Sequence, residues 1–528
     1  MKTTILKSMM MVLMALFSLY ADAYDNVEIK GISYVLIDDG SETAIVTSGS
    51  KKYSGKIVIP ESFKYRNVTY SVTEIGWSAF GDCSGLTSVT IPNSVTIIQN
   101  RAFAGCSGLT SVTIPKSVLS IHDMAFVGCS NLRSIIVEDG NAVYDSRDDC
   151  NAIIETATNT LFRGCINTKI PNSVTSIGIE AFGGCRNLTS ITIPNSVTEI
   201  GQGAFSGCCD LTSVTIPNSV TAIGYNAFNG TAWYDNQPEG LVYAGNVAYK
   251  YKGTMPENTS ITIKDGTIGI SSGAFAYCSG LSSVTIPNSV LYIGGGAFVG
   301  CESLVSVEIP NSVTKLDVGM GELYVGVFAY CSGLTSVVIP GNVEMSSRTF
   351  DVCTSLTSIT VEIKDITSWC TKPLSIKSLE WYHAYNRPSS FSCHFLLNNE
   401  IMDDLFIPQN VTSVSNEAFA FCHDFTSVKV AWSRPLAGGA DSFEAEVKKN
   451  APLYVPKGTA MMYMAAPGWS EFVNIVEYGD DVDAIESVIA DDSEYQIYTI
   501  DGTLVEALQK GVNIIKYKNG TLKKVVVK

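Results

Sequence analysis

Apolar residues recur along this chain in a pattern that repeats every 23 residues. In one copy, Leu-x-x-Val-x-Ile-Pro, the apolar positions are Leu86, Val89 and Ile91, with small polar residues between them. Because successive side chains of a strand point to opposite faces, this pattern predicts a short strand with an apolar inner edge, which Pro92 ends. The same phrase recurs at 109–115, 188–194, 211–217, 281–287, 304–310 and 334–340.

A fixed period of this length is typical of a solenoid, in which each repeat, here called a rung, buries its apolar edges by stacking on its neighbours. Beyond the strand, Val95 and Ile98 form a second apolar edge, and Phe103 follows on the opposite wall. This phenylalanine recurs as Phe80, Phe126, Phe182, Phe205, Phe228, Phe275, Phe298 and Phe419. A column of rings can form a ligand site, but one ring per rung indicates a core that every rung must fill.

Most of the fifteen cysteines occupy one position of the repeat, three residues before the strand leucine. They are Cys83, Cys106, Cys129, Cys185, Cys208, Cys278, Cys301, Cys331, Cys353 and Cys422. We expect buried free thiols at this position, because side chains in one column point in the same direction and not toward each other. Disulfides between adjacent rungs are the alternative.

Cys150 and Cys165 lie outside that column. If strands on either side of the turn 156–159 pair with Ile153 opposite Phe162, then Cys150 lies opposite Cys165. Directly opposed strand residues can have the short separation that a disulfide requires, so we predict a bridge between these two cysteines. The alternative is a reduced pair that packs against the solenoid.

The phrase from Ile193 to Val214 reads Ile-Pro-Asn-Ser-Val-Thr-x-Ile-Gly-x-x-Ala-Phe-x-Gly-Cys-x-x-Leu-Thr-Ser-Val. It resembles the BspA-like leucine-rich repeats of bacterial surface proteins, and the resemblance extends over about 58–476. It implies an α/β solenoid, a right-handed leucine-rich-repeat stack with a parallel sheet on one face and irregular or short helical segments on the other. It also implies adhesion to host matrix proteins or other cells, and it supplies no catalytic residues.

The chain begins with features of a signal peptide at residues 1–23. Lys2 and Lys7 precede an apolar run from Met9 to Leu19, and Ala21-Asp22-Ala23 has the small-x-small pattern of a cleavage site. We therefore expect an exported protein, at the cell surface or extracellular, that starts at Tyr24. No transmembrane segment is expected once this signal is removed.

Departures from the repeat predict the remaining organisation. The expected parts are an N-terminal β cap at 24–57, a solenoid at 58–478 with irregular insertions at 139–168, 231–262 and 361–406, and a small β-rich C-terminal domain at 484–528. We expect the first two insertions to protrude as loops, the second with a hairpin at 241–249. Leu453–Pro456 is expected to be the last rung.

The C-terminal segment alternates predicted strands with Asp-Gly and Asn-Gly turns, which favour hairpins. Its basic last strand and glycine turns are similar to the C-terminal part of type IX secretion sorting domains. A small structural sandwich is the alternative.

Composition and motifs exclude several function classes. A net charge of −16 and a pI near 4.8 argue against nucleic acid, since phosphate binding needs clustered Lys and Arg. The four histidines lie in no nucleophile motif, and the spacing of Cys370, His383, Cys393 and His394 matches no zinc site. We therefore predict no cofactor, no metal site and no enzymatic activity.

The outward positions of the strands form the candidate binding face. They are Ser88, Thr90, Ser111, Thr113, Ser190, Thr192, Ser213, Thr215, Ser283 and Thr285. We predict that extracellular proteins bind to this face or to the loops at 139–168 and 231–262; alternatives are a face that only keeps the protein soluble, and a glycan-binding module. Glycans favour exposed aromatic residues, for which Trp369, Trp381, Tyr382 and Tyr385 are candidates, although packing over an irregular turn also accounts for them.

Overall fold

The structure is a computed structural model. It describes residues 26–316, 325–346, 348–371, 392–397, 400–415, 418–419 and 422–479, together with strands between 495 and 527. The predicted signal peptide and the candidates Trp381, Tyr382, His383 and Tyr385 lie outside the described residues. The chain divides into two compact units. The first contains the residues up to Thr335 together with Val343–Leu356, and the second contains Ser336–Asn342 and most of the residues after Leu356.

The N-terminal strands confirm the predicted β structure there. The first three strands pair antiparallel in sequence order; they are Asn26–Ile29, Ile32–Ile37 and Thr43–Thr47. The third strand pairs parallel with Val68–Ile75, and Ser62–Tyr65 pairs antiparallel with Val68–Ile75. Tyr53 packs on Phe80 with ring centroids 4.9 Å apart, and its hydroxyl donates to the Thr47 carbonyl at 2.8 Å. These contacts cover the core of the first rung.

The repeated strand phrase forms a parallel ladder, which we call the wide ladder. In the first unit the ladder consists of separate sections. The first contains Gly55–Val58, Leu86–Thr90, Ser111–Ile114 and Ser134–Val137; the second pairs Ser190–Thr192 with Ser213–Thr215; and the third pairs Thr259–Thr262 with Leu281–Thr285. Ser306–Glu308 is a further strand of this kind. Leu86, Val89 and Ile91 are buried, whereas Thr90 is exposed. The predicted inward and outward faces of the strand are therefore confirmed.

A second parallel ladder, the narrow ladder, lies where irregular or helical segments were expected. Its two-residue strands are Ile97–Ile98, Ser120–Ile121, Ser176–Ile177, Glu199–Ile200, Ala222–Ile223, Gly269–Ile270, Tyr292–Ile293, Lys315–Leu316 and Glu344–Met345. Each except the last contributes at least one buried apolar side chain, such as Ile98 or Ile200. The physical reason is that stacked equivalent rungs bring extended dipeptides into register, so their main-chain groups pair across rungs.

The phenylalanine column confirms the predicted core. Phe80, Phe103 and Phe126 stack with centroids 5.0 and 5.1 Å apart and ring planes within 5°. Phe182, Phe205 and Phe228 form a second stack, and Phe275, Phe298, Phe328 and Phe350 a third. The rings are fully buried, and each stack fills the same wall over several rungs.

The cysteine column has a structural role beyond packing. The Cys106 thiol donates to the Phe80 carbonyl of the preceding rung at 3.0 Å, and Cys129 donates to the Phe103 carbonyl at 3.2 Å. The same bond joins Cys208 to Phe182, Cys301 to Phe275, Cys331 to Phe298 and Cys353 to Phe328, at 3.0 to 3.2 Å. Ring stacking and thiol capping therefore connect the same pairs of rungs.

The first insertion does not protrude as a loop. After Tyr144–Asp145 and the short 3-10 helix Arg147–Asp149, strands Ala152–Glu155 and Thr160–Gly164 pair antiparallel, and Thr160–Gly164 joins the narrow ladder beside Ser176–Ile177. Buried residues line both strands. The prediction was wrong because the hairpin carries enough apolar side chains to replace part of a rung.

Arg163 of this hairpin lies between the rungs of Phe126 and Phe182, fully buried. Its guanidinium donates to the main-chain carbonyls of Phe126 at 2.6 Å, Glu180 at 2.6 Å and Gly183 at 3.1 Å. The Phe126 carbonyl is the equivalent of those that column thiols cap elsewhere. Arg163 therefore replaces the missing thiol at the interruption.

The second insertion is also integrated in the stack. Helix Ala232–Asp235 precedes the hairpin Gly240–Ala244 and Val247–Lys252, which confirms the predicted hairpin, and Val247–Lys252 joins the narrow ladder. Tyr249 packs edge-on to Phe228, and its hydroxyl accepts a hydrogen bond from the Phe228 main-chain N–H at 2.9 Å. The expectation of a protruding loop was wrong here too, for the same reason.

The second unit contains further parallel strands. One sheet contains three parallel strands, Ser336–Pro340, Ser358–Ile363 and Ser392–Leu397, and Glu400–Ile401 pairs antiparallel with the last of them. Another sheet is entirely parallel and consists of Asp404–Ile407, Ser427–Val430, Leu453–Pro456 and Ile475–Tyr478. Leu453–Pro456 is therefore not the last rung, because a further strand pairs with it. The helices are Ile366–Thr371, Ala445–Asn450 and Ala460–Ala465, with 3-10 turns at Gly439–Ser442 and Trp469–Glu471.

The C-terminal strands form an antiparallel sheet. Their spatial order is Leu504–Val505, Tyr495–Thr499, Gly511–Tyr517 and Leu522–Val527. These strands agree with the predicted β-rich character of this segment.

Replacing Arg163 tests its role in the stack. We expect Arg163→Ala to lower the free energy of unfolding by about 3 kcal/mol, because it leaves a cavity and removes three hydrogen bonds. Arg163→Met should lower it by only about 1 kcal/mol, because methionine keeps the volume and removes a desolvated charge, and each carbonyl keeps a main-chain donor. Urea unfolding measures both, with the exposed Arg133→Ala as control. Equal losses at the two positions would contradict this role.

Candidate binding face

The ten predicted binding residues lie on the outer face of the wide ladder. All are exposed except Ser88, which is half-buried. The register pairs are Ser88 with Ser111, Ser190 with Ser213, Thr192 with Thr215, Ser283 with Ser260, and Thr285 with Thr262. The structure thus brings the residues together as three patches and adds Ser260 and Thr262, and we call these twelve residues the hydroxyl lane. The sequence analysis missed the added pair because Thr259–Thr262 lacks the usual leucine and proline, although its Ser-Ile-Thr alternation was visible.

The hydroxyl groups of the lane differ from other hydroxyls of the repeat. Thr96, Thr198 and Thr221 each donate to a main-chain carbonyl of the rung before, at 3.3 to 3.4 Å. Within the described residues, the lane hydroxyls form one side-chain hydrogen bond, between Ser283 and Ser260 at 2.7 Å. Most lane hydroxyls are therefore available to a ligand.

Apolar residues border the first patch. Val58 lies opposite Thr90 and is 66% exposed, and Ile136 lies opposite Thr113 and is 52% exposed. A partner on this patch can form hydrogen bonds to the hydroxyls and bury apolar surface at both sides.

A cleft of about 570 Å³ lies beside the second patch. Thr168, Lys169, Ile170 and Asn172 line one wall, and the strand Ser190–Thr192 lines the other. Lys169 is the one charged side chain among its lining residues, in a protein whose net charge is −16. It gives the cleft a positively charged side chain.

The titratable candidates considered from the sequence are paired or buried where the structure describes them. No group of three or more His, Cys, Asp or Glu side chains in the described part of the chain is arranged to hold a metal ion. His394 pairs with Asp424 at 2.7 Å, while Cys370 and Cys393 are buried. Burial raises the pKa of the Cys129 and Cys331 thiols to about 12, so these thiols are protonated and unreactive near neutral pH.

The geometry behind the predicted Cys150–Cys165 disulfide is wrong. A register shift between Ile153 and Ile154 places Ile153 opposite Arg163 instead of Phe162, so Cys150 and Cys165 are not directly opposed. The Cys165 thiol donates to the Asn151 carbonyl at 3.2 Å, and neither sulfur is bridged in the structure. Whether the two thiols bridge in solution stays a prediction.

The described aromatic candidate, Trp369, is part of a core. It is buried, and its indole N–H donates to the Ala418 carbonyl at 2.7 Å. Two exposed tyrosines were not predicted: Tyr277 and Tyr330 are 74% and 51% exposed, with φ of 60° and 62°. Most rungs place glycine at this left-handed position, so the missed signal was a bulky residue in a glycine position.

The sequence profile of the BspA type leucine rich repeat region matches this chain in six copies, over residues 60–147, 155–237, 245–373 and 321–434. These matches cover more than half of the 528 residues. The chain belongs to this family. Its proteins are repeat scaffolds, typically exposed at bacterial surfaces, and leucine-rich repeats generally bind proteins.

The chain is also similar to several solved structures of leucine-rich repeat proteins and surface antigens. A leucine-rich cell surface protein from Faecalibacterium prausnitzii is 26% identical, with 64% of this chain and 94% of that chain covered and a TM-score of 0.28. A leucine-rich repeat protein from Bacteroides ovatus is 22% identical, with 86% of this chain and 99% of that chain covered and a TM-score of 0.29. The pneumococcal vaccine antigen PcpA is 15% identical, with 70% of this chain and 98% of that chain covered and a TM-score of 0.29.

No curated protein matches the chain significantly. None of the helices in the described part of this family member combines the length and apolar character that crossing a bilayer requires.

The buried thiols predict a pH-dependent stability. Buried column thiols such as Cys129 and Cys331 have a raised pKa in the folded chain, whereas cysteines in the unfolded chain have a pKa of about 8.5. Above that pH the unfolded chain therefore binds fewer protons than the folded chain, and rising pH favours unfolding. We expect the free energy of unfolding to fall by several kcal/mol between pH 7 and about pH 10 in reductant. Cys129→Ala should make this slope shallower, and replacing the exposed Cys209 with Ala should leave it unchanged. An identical slope in all three proteins would contradict the assignment.

Proposed function

We propose that this protein is an exported, non-catalytic scaffold that binds extracellular proteins and mediates adhesion to host matrix or to other cells. The observation that supports it is the hydroxyl lane, an outward array whose hydroxyls are mostly not used by the fold. Residues 1–23 would direct export and residues 484–528 would act in sorting at the surface. The repeat family supports a surface scaffold, and adhesion is our proposal.

Binding through the lane should be weak at each site. Hydroxyl groups exchange hydrogen bonds with water for hydrogen bonds with the partner, which gives little net free energy per contact. Several patches on one molecule, and many molecules on one cell, compensate through avidity. We therefore expect a partner to bind immobilised protein much more tightly than free protein.

Lysine substitutions in the first patch test this function. Thr90→Lys with Thr113→Lys should lower adherence to an immobilised host-matrix panel by about tenfold, because long charged side chains prevent close contact with the face. The measurement is adherence of cells that display the variant, compared with a deletion strain.

The matched control is Asn93→Lys with Asn218→Lys, which adds the same charge at exposed turns outside the lane. Equal losses in both variants would indicate a general charge effect. If deletion leaves adherence to every partner unchanged, the adhesion function is wrong.

Glycan binding is the second candidate, and the two exposed tyrosines favour it. Tyr277 lies over the glycine of the next rung, since a Cβ atom at Gly300 would lie 2.8 Å from its ring. A bulky side chain held at positive φ is disfavoured unless something compensates, and exposed rings are platforms for sugar faces.

Replacing both tyrosines with glycine tests this candidate. Tyr277→Gly with Tyr330→Gly should keep the fold, because glycine occupies this position in other rungs, and should abolish any signal on a glycan array. Thr90→Lys with Thr113→Lys is the matched comparison, and it should not change glycan binding. A glycan signal that survives loss of both rings would exclude them as the site.

A further inference from the structure

The wide ladder is interrupted beside the first insertion, and the two strands at the interruption differ. At Ser134–Val137, the insertion satisfies the outer edge: the Val137 N–H donates to the Ser146 hydroxyl at 2.9 Å, and the Leu132 carbonyl accepts from the Ile166 N–H at 3.1 Å. No such cover is present at Ser190–Thr192, which pairs only with Ser213–Thr215 among the described strands.

The hydrogen bonds of that pair show which main-chain groups remain open. The Thr189 carbonyl accepts from Ser213, and the Ile193 N–H donates to the Thr215 carbonyl at 3.1 Å. Because main-chain groups alternate in direction along a strand, the N–H and C=O groups of Ser190 and Thr192 point the other way. No described residue forms a main-chain hydrogen bond with them.

Ser190 and Thr192 line the cleft of about 570 Å³. Residues 168–170, which also line it, do not complete the ladder: they are assigned to no strand, and the Lys169 N–H donates to the Cys150 carbonyl instead. Ile170 is half-buried and offers an apolar contact, and Lys169 is exposed and offers a positive charge. An exposed strand edge is a template for another strand.

We propose that this edge binds an extended, acidic peptide segment of a partner protein by strand addition. The peptide main chain would pair with Ser190 and Thr192, a carboxylate would lie near Lys169, and an apolar side chain would contact Ile170. The inference rests on the proposed scaffold function and identifies one binding site and the chemistry of its partner. It places recognition in main-chain groups, whereas the hydroxyl lane acts through side chains.

Two substitutions at one residue separate these contributions. Thr192→Pro removes the open N–H, and proline is tolerated where a strand N–H is outside the ladder. Thr192→Val keeps the N–H and the branched shape and removes only the hydroxyl. The probe is a displayed library of random linear peptides, selected on the purified wild-type protein and depleted on the Thr192→Pro variant.

We expect the selected peptides to contain an acidic residue beside β-branched residues. Their affinity should fall about tenfold or more with Thr192→Pro and with Lys169→Glu, and less than about twofold with Thr192→Val. Methylating alternate main-chain nitrogens of a selected peptide should abolish binding, which is a test that does not depend on the folding of any variant.

No enrichment over the Thr192→Pro protein, or binding that survives N-methylation in both alternating registers, would overturn the proposal. If the selected peptides lose affinity for the Thr192→Pro and Lys169→Glu variants while deletion of the protein leaves cell adherence unchanged, the edge site is supported and the adhesion function is wrong. If the lane variants lose adherence while no peptide is enriched on the wild-type protein, the adhesion function is supported and the edge site is wrong.

Discussion

Stacking of equivalent groups on adjacent rungs is the interaction on which the rest of this structure depends. Within each stack, neighbouring phenylalanine rings pack with centroids 5.0 to 5.6 Å apart, and cysteine thiols such as that of Cys106 donate to the phenylalanine carbonyl of the rung before. A single rung cannot bury its ring, because the next rung supplies the surface that covers it. Phenylalanine and cysteine therefore each recur at a fixed position of the repeat. A free thiol at the cysteine position can donate a hydrogen bond to the preceding rung, which a cysteine in a disulfide cannot do.

The interruptions show how strong this constraint is. Where the period breaks, other side chains make the missing contacts: Arg163 donates to the Phe126 carbonyl, and the Tyr249 hydroxyl accepts from the Phe228 N–H. The insertions are consequently built into the stack, and their effect is on the wide ladder, which they divide. Division leaves an open strand edge within the solenoid, a feature that an uninterrupted repeat does not have.

Threonine has two roles in this protein, and they separate structure from function. At Thr96 and Thr198 the hydroxyl bonds to the preceding rung and stabilises the stack. At Thr90 and Thr192 the side chain lies on the exposed face of a strand, and its hydroxyl forms no hydrogen bond with a described residue. Residue type alone does not distinguish these cases, but position in the 23-residue period does.

The sequence by itself determined the period, the inward and outward faces of the strands, the phenylalanine core and the hairpin at 241–249, because each follows from local alternation and repetition. Tertiary structure decided the narrow ladder, since two-residue strands exist only when equivalent rungs lie in register. It also decided the register shift at Ile153, which places Arg163 opposite that residue, so that Cys150 and Cys165 are not directly opposed. The open edge at Ser190 and Thr192 has the same origin: whether a main-chain group is paired depends on which segment lies beside it, and local sequence does not encode that neighbour.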